Sequence, residues 1–201
     1  MRWGRTGGAW AWAAASLLVG TATLANEPDP EAWGRTCSVR GGVVAFTEGG
    51  AVWRVNGETR TAVKLPTGDR LERAWCTDFG DDIVALYEVE EGEGGTGYLI
   101  RISPRGLVWS VNVLGFSFAE PLMAGDSVFV ASPSTATRID LGSGRIRWQR
   151  ARLRQGYDLA SKPRLEGSRL ILSATRSADD SPAPPVELDA RRGVPIRRPG
   201  E

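Results

Sequence analysis

The sequence predicts an all-β protein, a β-propeller of four four-stranded blades. Three observations predict it. A glycine-centred motif recurs four times, roughly 40 residues apart. Each copy is followed by two more strand-like runs joined by a turn signal. No helical period of comparable length follows Ala25. Four short strands per unit at this period are the pattern of a propeller blade.

The four copies are CSVRGGVVAFTEG from Cys37, CTDFGDDIVALYE from Cys76, PLMAGDSVFVASP from Pro121 and PRLEGSRLILSAT from Pro163. They align without gaps. Gly41, Gly80, Gly125 and Gly167 share one place, and Val44, Ile83, Val128 and Leu170 share another. The runs on either side of each glycine read as the two inner strands of a blade.

Two outer strands follow in each unit. AVWRV meets TRTAVKL across Asn56-Gly57, a strong hairpin signal. GYLIRI meets GLVWSVNV across Ser103-Pro104-Arg105, and TATRID meets RIRWQRARL across LGSG. PPVELD meets VPIRR across ARRG. The expected blades run over about 33–66, 72–114, 117–154 and 159–198, inside one domain from 26 to 201. In the third unit Asp140 and its glycines make the turn before the outermost strand, because Asp bonds downstream amides and Gly takes left-handed backbone. Trp148 is then expected to cover the next blade, contributing about 2–3 kcal/mol.

This third unit resembles the repeat of the pyrroloquinoline-quinone (PQQ) propeller superfamily, roughly A-x-D-x-x-T-G-x-x-x-W. Asp140, Ser143, Gly144 and Trp148 occupy its Asp, Thr, Gly and Trp places. Unit four matches with Asp189 and Gly193 but has Arg197 in place of Trp. Unit two keeps Ser103, Gly106 and Trp109, and unit one only Asn56-Gly57. The resemblance covers nearly all of the chain after residue 25 and points to the non-enzymatic, outer-membrane-assembly-like branch. Such propellers usually have seven or eight blades, and this chain encodes four. The alternatives are a compact four-bladed ring and an open half-propeller that needs a partner. The quinone enzymes implied by the resemblance use an aromatic floor, a calcium site and often a disulfide of adjacent cysteines. Cys37 and Cys76 are not adjacent and no calcium set stands out, so the expectation is no cofactor and no metal.

The N-terminal segment MRWGRTGGAWAWAAASLLVGTATLA reads as a signal peptide over 1–25. Arg2 and Arg5 precede a short apolar run, and small residues stand at Thr23 and Ala25. A membrane anchor is the alternative, but the run is shorter than the roughly 20 residues a span needs. The protein is therefore expected in the periplasm or outside the cell. In that oxidising setting an even pair of cysteines predicts one disulfide, Cys37–Cys76. The two hold the same place in the innermost strands of neighbouring blades.

Composition excludes several functions. The chain has 25 Lys plus Arg, 24 Asp plus Glu and no histidine. The balance gives no sign of nucleic-acid binding. The missing histidine removes His-based triads and His metal sites.

Four candidate sites remain. The acidic run Glu88 to Gly97 reads as a solvated, glycine-rich hairpin loop without calcium-loop spacing. Asp81, Asp82, Asp179 and Asp180 could serve a carboxylate-based hydrolase, but their neighbours suggest turn formers. The run RIRWQRARLR carries Arg145, Arg147, Arg150, Arg152 and Arg154. It suits an acidic partner, or it protects an edge strand from pairing. Its phase changes at Trp148-Gln149, where a bulge is expected. Lys64 and Lys162 are the only lysines.

The resulting expectation is an exported, non-catalytic protein-binding or assembly scaffold. The alternative is an enzyme, either a degenerate quinoprotein dehydrogenase or a carboxylate-based hydrolase. Expected partners are a protein reached through the five arginines, an envelope or membrane-surface complex, or a second copy in a homodimer.

Overall fold

The computed structural model describes residues 35–40, 42–47, 50–55, 59–63, 65, 70–91, 94–153, 157–159 and 161–196. Residues 1–25, expected to be a signal peptide, and Asn56-Gly57, Arg154 and Arg197 lie outside the described residues. The described chain is all-β, with sixteen strands in four antiparallel sheets. It is a β-propeller of four blades.

The first three blades are sequential meanders. Blade 1 contains β1 (Arg35–Val39), β2 (Gly42–Thr47), β3 (Gly50–Val55) and β4 (Thr59–Val63). Blade 2 contains β5 (Arg70–Phe79), β6 (Asp82–Glu91), β7 (Gly94–Ser103) and β8 (Gly106–Val113). Blade 3 contains β9 (Leu122–Ala124), β10 (Ser127–Ser132), β11 (Thr135–Asp140) and β12 (Ile146–Ala151).

Blade 4 departs from the expected meander. Its strands are β13 (Tyr157–Leu159), β14 (Arg164–Glu166), β15 (Arg169–Arg176) and β16 (Pro182–Asp189). Both β13 and β14 pair with β15, while β16 pairs with its other edge. Among the described residues, the expected outermost strand shows one bridge, Leu188 with Pro195. Proline has no N–H for a ladder. The next residue supplies the contact instead, with the Ile196 N–H donating to the Glu187 carbonyl at 2.8 Å.

The repeated glycine closes the inner hairpins. Phe79 pairs with Asp82, Ala124 with Ser127 and Glu166 with Arg169, leaving two-residue turns. Gly80, Gly125 and Gly167 open these turns with φ of 63°, 59° and 62°. The residues after them keep negative φ, the pattern of a type II′ hairpin. In blade 1 Val39 pairs with Gly42, so the hairpin turns one residue earlier than the repeat predicts.

Central strands are buried on both faces, and alternate residues serve opposite neighbours. Along β6, Ile83, Ala85, Tyr87 and Val89 pack with Val44, Phe46 and Val63 of blade 1. Val84 and Leu86 pack with Val128, Val130 and Ile139 of blade 3. Along β10, Phe129 and Ala131 turn the other way, to Leu170, Leu172, Val186 and Leu188 of blade 4. Three apolar clusters thus join blades 1–2, 2–3 and 3–4. Among the described residues none joins blade 4 to blade 1, so the described sheets do not close into a ring.

Two joints use the same clasp. The Trp109 indole N–H donates to the Leu141 carbonyl at 3.1 Å, and that of Trp148 to the Ala190 carbonyl at 3.0 Å. Each indole therefore reaches from its own blade to the residue after the turn Asp of the next. The glycine of that turn has φ of 71° at Gly144 and 67° at Gly193. A Cβ there would lie 2.7 Å from Trp109 Cδ2 or 2.5 Å from Trp148 Cδ2. Glycine is required for both reasons. A bulge precedes each Trp. Arg101 pairs with Trp109 but Ile102 with Leu107; Arg138 pairs with Trp148 but Ile139 with Ile146. The extra residue in blade 3 is Arg147, not Trp148-Gln149 as the phase change suggests. It turns the indole toward the next blade.

Blades 1 and 2 are joined differently. Cys37 and Cys76 form a disulfide between β1 and β5, with Cα atoms 5.8 Å apart. Nearby, the Arg40 backbone N–H donates to Asp78 Oδ2 at 3.0 Å.

Candidate functional site

The outer turn of blade 3 is built around one carboxylate. Asp140 Oδ1 accepts from the Ser143 backbone N–H at 2.8 Å and the Ser143 hydroxyl at 2.7 Å. Asp140 Oδ2 pairs with the Arg147 guanidinium. The Ser143 hydroxyl, then Arg147 and the Ser143 amide, hold this carboxyl well below the usual carboxylate range. A depressed folded-state pKa stabilises the fold above the unfolded value, near 3.9. That contribution is lost as pH falls through the folded value. Asp140→Asn is therefore expected to be less stable than wild type at neutral pH, with the gap narrowing below about pH 4. Urea midpoints measured from pH 7 downward check this. A gap independent of pH would contradict it.

Beside this turn a cleft of about 500 Å³ separates blades 3 and 4. Its blade 3 wall includes Ser127, Phe129, Arg138 and Arg147; its blade 4 wall includes Leu165 and Arg191. Asp126 also lines it. Arg138 lies deeper than Arg147, its side chain 18% exposed against 51%. Arg138 Nε donates to Ser127 Oγ at 2.9 Å, and its Nη1 lies 3.4 Å from the Ala190 and Arg191 carbonyls. Its guanidinium sits 5.9 Å from the Phe129 ring centroid. The cleft is a cationic recess with an apolar flank.

The five arginines singled out in the sequence do not form one surface. Arg147 is held by Asp140 in its own blade. Arg150 faces blade 4, where Nε donates to the Gly193 carbonyl at 2.9 Å and Nη2 to the Arg192 carbonyl at 3.1 Å. It is part of the joint. Arg145 and Arg152 are exposed, and Arg154 lies outside the described residues.

The acidic candidates are also placed. Asp82 accepts from Arg101 Nε at 2.5 Å. Asp81 and Asp180 are exposed in turns, and Asp179 accepts from the Ser181 N–H at 3.0 Å within its own turn. The Ser181 contacts hold the Asp179 carboxyl below its ordinary value. The run Glu88 to Gly97 is not a solvated loop. β6 and β7 extend through most of it, and Glu88 is buried at 5% exposure. Its carboxylate accepts from the Ser117 N–H at 2.5 Å and lies 3.4 Å from the Phe118 nitrogen. It therefore satisfies backbone donors of the segment between blades 2 and 3, which is why a charge is tolerated there. Among the described residues no group of three or more Cys, Asp or Glu side chains could hold a metal ion.

The sequence reading missed Ser127, Arg138 and Arg191. The signal was present in the repeat. Aligning the units puts Arg101, Arg138 and Glu187 in one place, and Asp82, Ser127 and Arg169 in another.

No family model matches the chain, and no curated protein matches it. Among solved structures, a europium-containing methanol dehydrogenase is similar at 12% identity and a TM-score of 0.47. The match covers 64% of this chain and 26% of that one, so the chain spans about a quarter of that protein's length.

Proposed function

We propose that the chain is an exported, non-catalytic propeller that binds a protein partner, in the manner of the outer-membrane-assembly-like branch its third repeat resembles. The carrying observation is how the described carboxylates are used. Asp82 and Asp140 are tied to arginines, Glu88 to backbone amides and Asp179 to its own turn. Such contacts commit these carboxylates to holding the fold together, which suits scaffolding better than general acid–base work. The disulfide is compatible with export. The partner-facing cations are Arg145 and Arg152, which are exposed at the two ends of β12.

The test is a pull-down from a periplasmic extract with wild type and an Arg145→Ala, Arg152→Asn variant. Asn is chosen because Arg152 has φ of 54°, a region Asn tolerates. Arg150 is left in place because it holds blade 4. Partner recovery is expected to fall about tenfold with an unchanged circular dichroism spectrum. Equal recovery removes these arginines from the site, and turnover of an alcohol or glycoside by the purified protein overturns the scaffold reading.

A further inference from the structure

Three blades can be compared at one repeated place, just after the inner turn. In blade 2, Asp82 and Arg101 are paired at 2.5 Å, with side chains 13% and 21% exposed. In blade 4 the signs are reversed, and Arg169 Nη1 meets Glu187 Oε2 at 3.2 Å. In blade 3 the arginine is kept as Arg138, but Ser127 replaces the carboxylate. Ser127 Oγ accepts the Nε–H at 2.9 Å and so satisfies one donor, yet it carries no charge. The nearest carboxylate is Asp126, 3.5 Å from Nη2, with its side chain 77% exposed. An exposed contact of that length compensates little.

The remaining contacts also differ. Arg101 Nη1 donates to the Leu141 carbonyl at 3.1 Å, whereas Arg138 Nη1 lies 3.4 Å from each of two carbonyls. Arg101 sits 4.8 Å from the Phe79 ring, and Arg138 5.9 Å from Phe129. Arg138 is held less closely at every contact and lines the cleft between blades 3 and 4. Arg191 adds positive charge to the wall, Arg147 being paired with Asp140, and Phe129 and Leu165 add apolar surface.

From these contrasts we infer that the cleft is a binding site for a carboxylate carrying an apolar group, with Arg138 as the residue that recognises the anion. The ligand's carboxylate supplies the negative charge that Asp82 supplies in blade 2. Its apolar group lies against Phe129 and Leu165. Guanidinium and carboxylate match in geometry, and a partly desolvated arginine strengthens the bond. The same chemistry is offered by a free small acid and by the C-terminus of a polypeptide. The site stands on the comparison of blades and holds whether or not the chain is a scaffold.

The test is calorimetric titration of the full exported chain, at low ionic strength, with N-acetyl-leucine and with its neutral amide. The acid is expected to bind at least about tenfold more tightly than the amide. Ser127→Asp rebuilds the blade 2 pair and is expected to reduce acid binding to the level of the amide, with no fall in the unfolding midpoint. Asp126→Asn removes the competing carboxylate and is expected to tighten binding. Comparison with acetyl-Gly-Gly-Leu separates the sources, since equal affinity indicates a free acid and tighter peptide binding a chain terminus. Equal binding of acid and amide overturns the proposal. So does a folded Ser127→Asp protein that binds the acid as well as wild type.

Discussion

Trp148→Ala is expected to lower stability by about 3–5 kcal/mol. The indole is 7% exposed and packs with Phe129, Leu172 and Leu188 across the joint between blades 3 and 4. Its ring centroid lies 6.1 Å from that of Phe129, in a tilted pair. Truncation removes this face and leaves a cavity that the flanking strands fill only in part. It also strips the Ala190 carbonyl of its indole donor, which lies at 3.0 Å. Trp148→Phe separates the two effects. It keeps most of the apolar face and loses the hydrogen bond, so a smaller cost of about 1–3 kcal/mol is expected. Urea unfolding of the three proteins measures both. An alanine variant within about 0.5 kcal/mol of wild type, the usual range for surface changes, would contradict the clasp.

Removing the disulfide is expected to cost about 4 kcal/mol, the chain-entropy value for a loop of this length. The double variant Cys37→Ala, Cys76→Ala is preferred, because a single change leaves a reactive thiol. The loss should concentrate in blade 1. Its outermost strand β4, Thr-Arg-Thr-Ala-Val, has no tryptophan to clasp blade 2. The sulfur bridge joins the inner edges of a pair whose outer edges lack the indole. Hydrogen exchange in β1 and β2 is therefore expected to quicken more than in β10 or β11. Uniform exchange across blades, or an unchanged urea midpoint, would contradict this division of roles.

The fold was legible because propeller blades are local. Each blade is a meander whose turns carry their own chemistry, such as Gly80, Gly125 and Gly167 with left-handed backbone. Runs such as DIVALYEV show double-sided burial directly, since residues on both faces are apolar. The disulfide was legible from the equivalent places of Cys37 and Cys76. What failed was context supplied by other blades. Glu88 looked solvated because acidic residues and glycines surround it in sequence, yet its partners are the Ser117 and Phe118 amides, about 30 residues away. The last strand of blade 4 looked complete, but among the described residues it shows one bridge, at Pro195. The five arginines looked like one stripe. The bulge at Arg147 divides them, sending Arg147 to Asp140 and Arg150 to the next blade. The cleft was hidden for the same reason, since Arg138 matters only when compared with Arg101 and Glu187 in their own blades.

Successive blades dock in series, with the indoles of Trp109 and Trp148 reaching the turn of the blade after their own. Nuclear magnetic resonance of the ¹⁵N-labelled protein tests this most directly, by following the indole N–H protons of Trp109 and Trp148. Slow solvent exchange is expected for both. Cross-relaxation is expected from Trp109 to residues 141–144 and from Trp148 to residues 190–193. Rapidly exchanging indole protons, or contacts confined to their own blades, would contradict this docking.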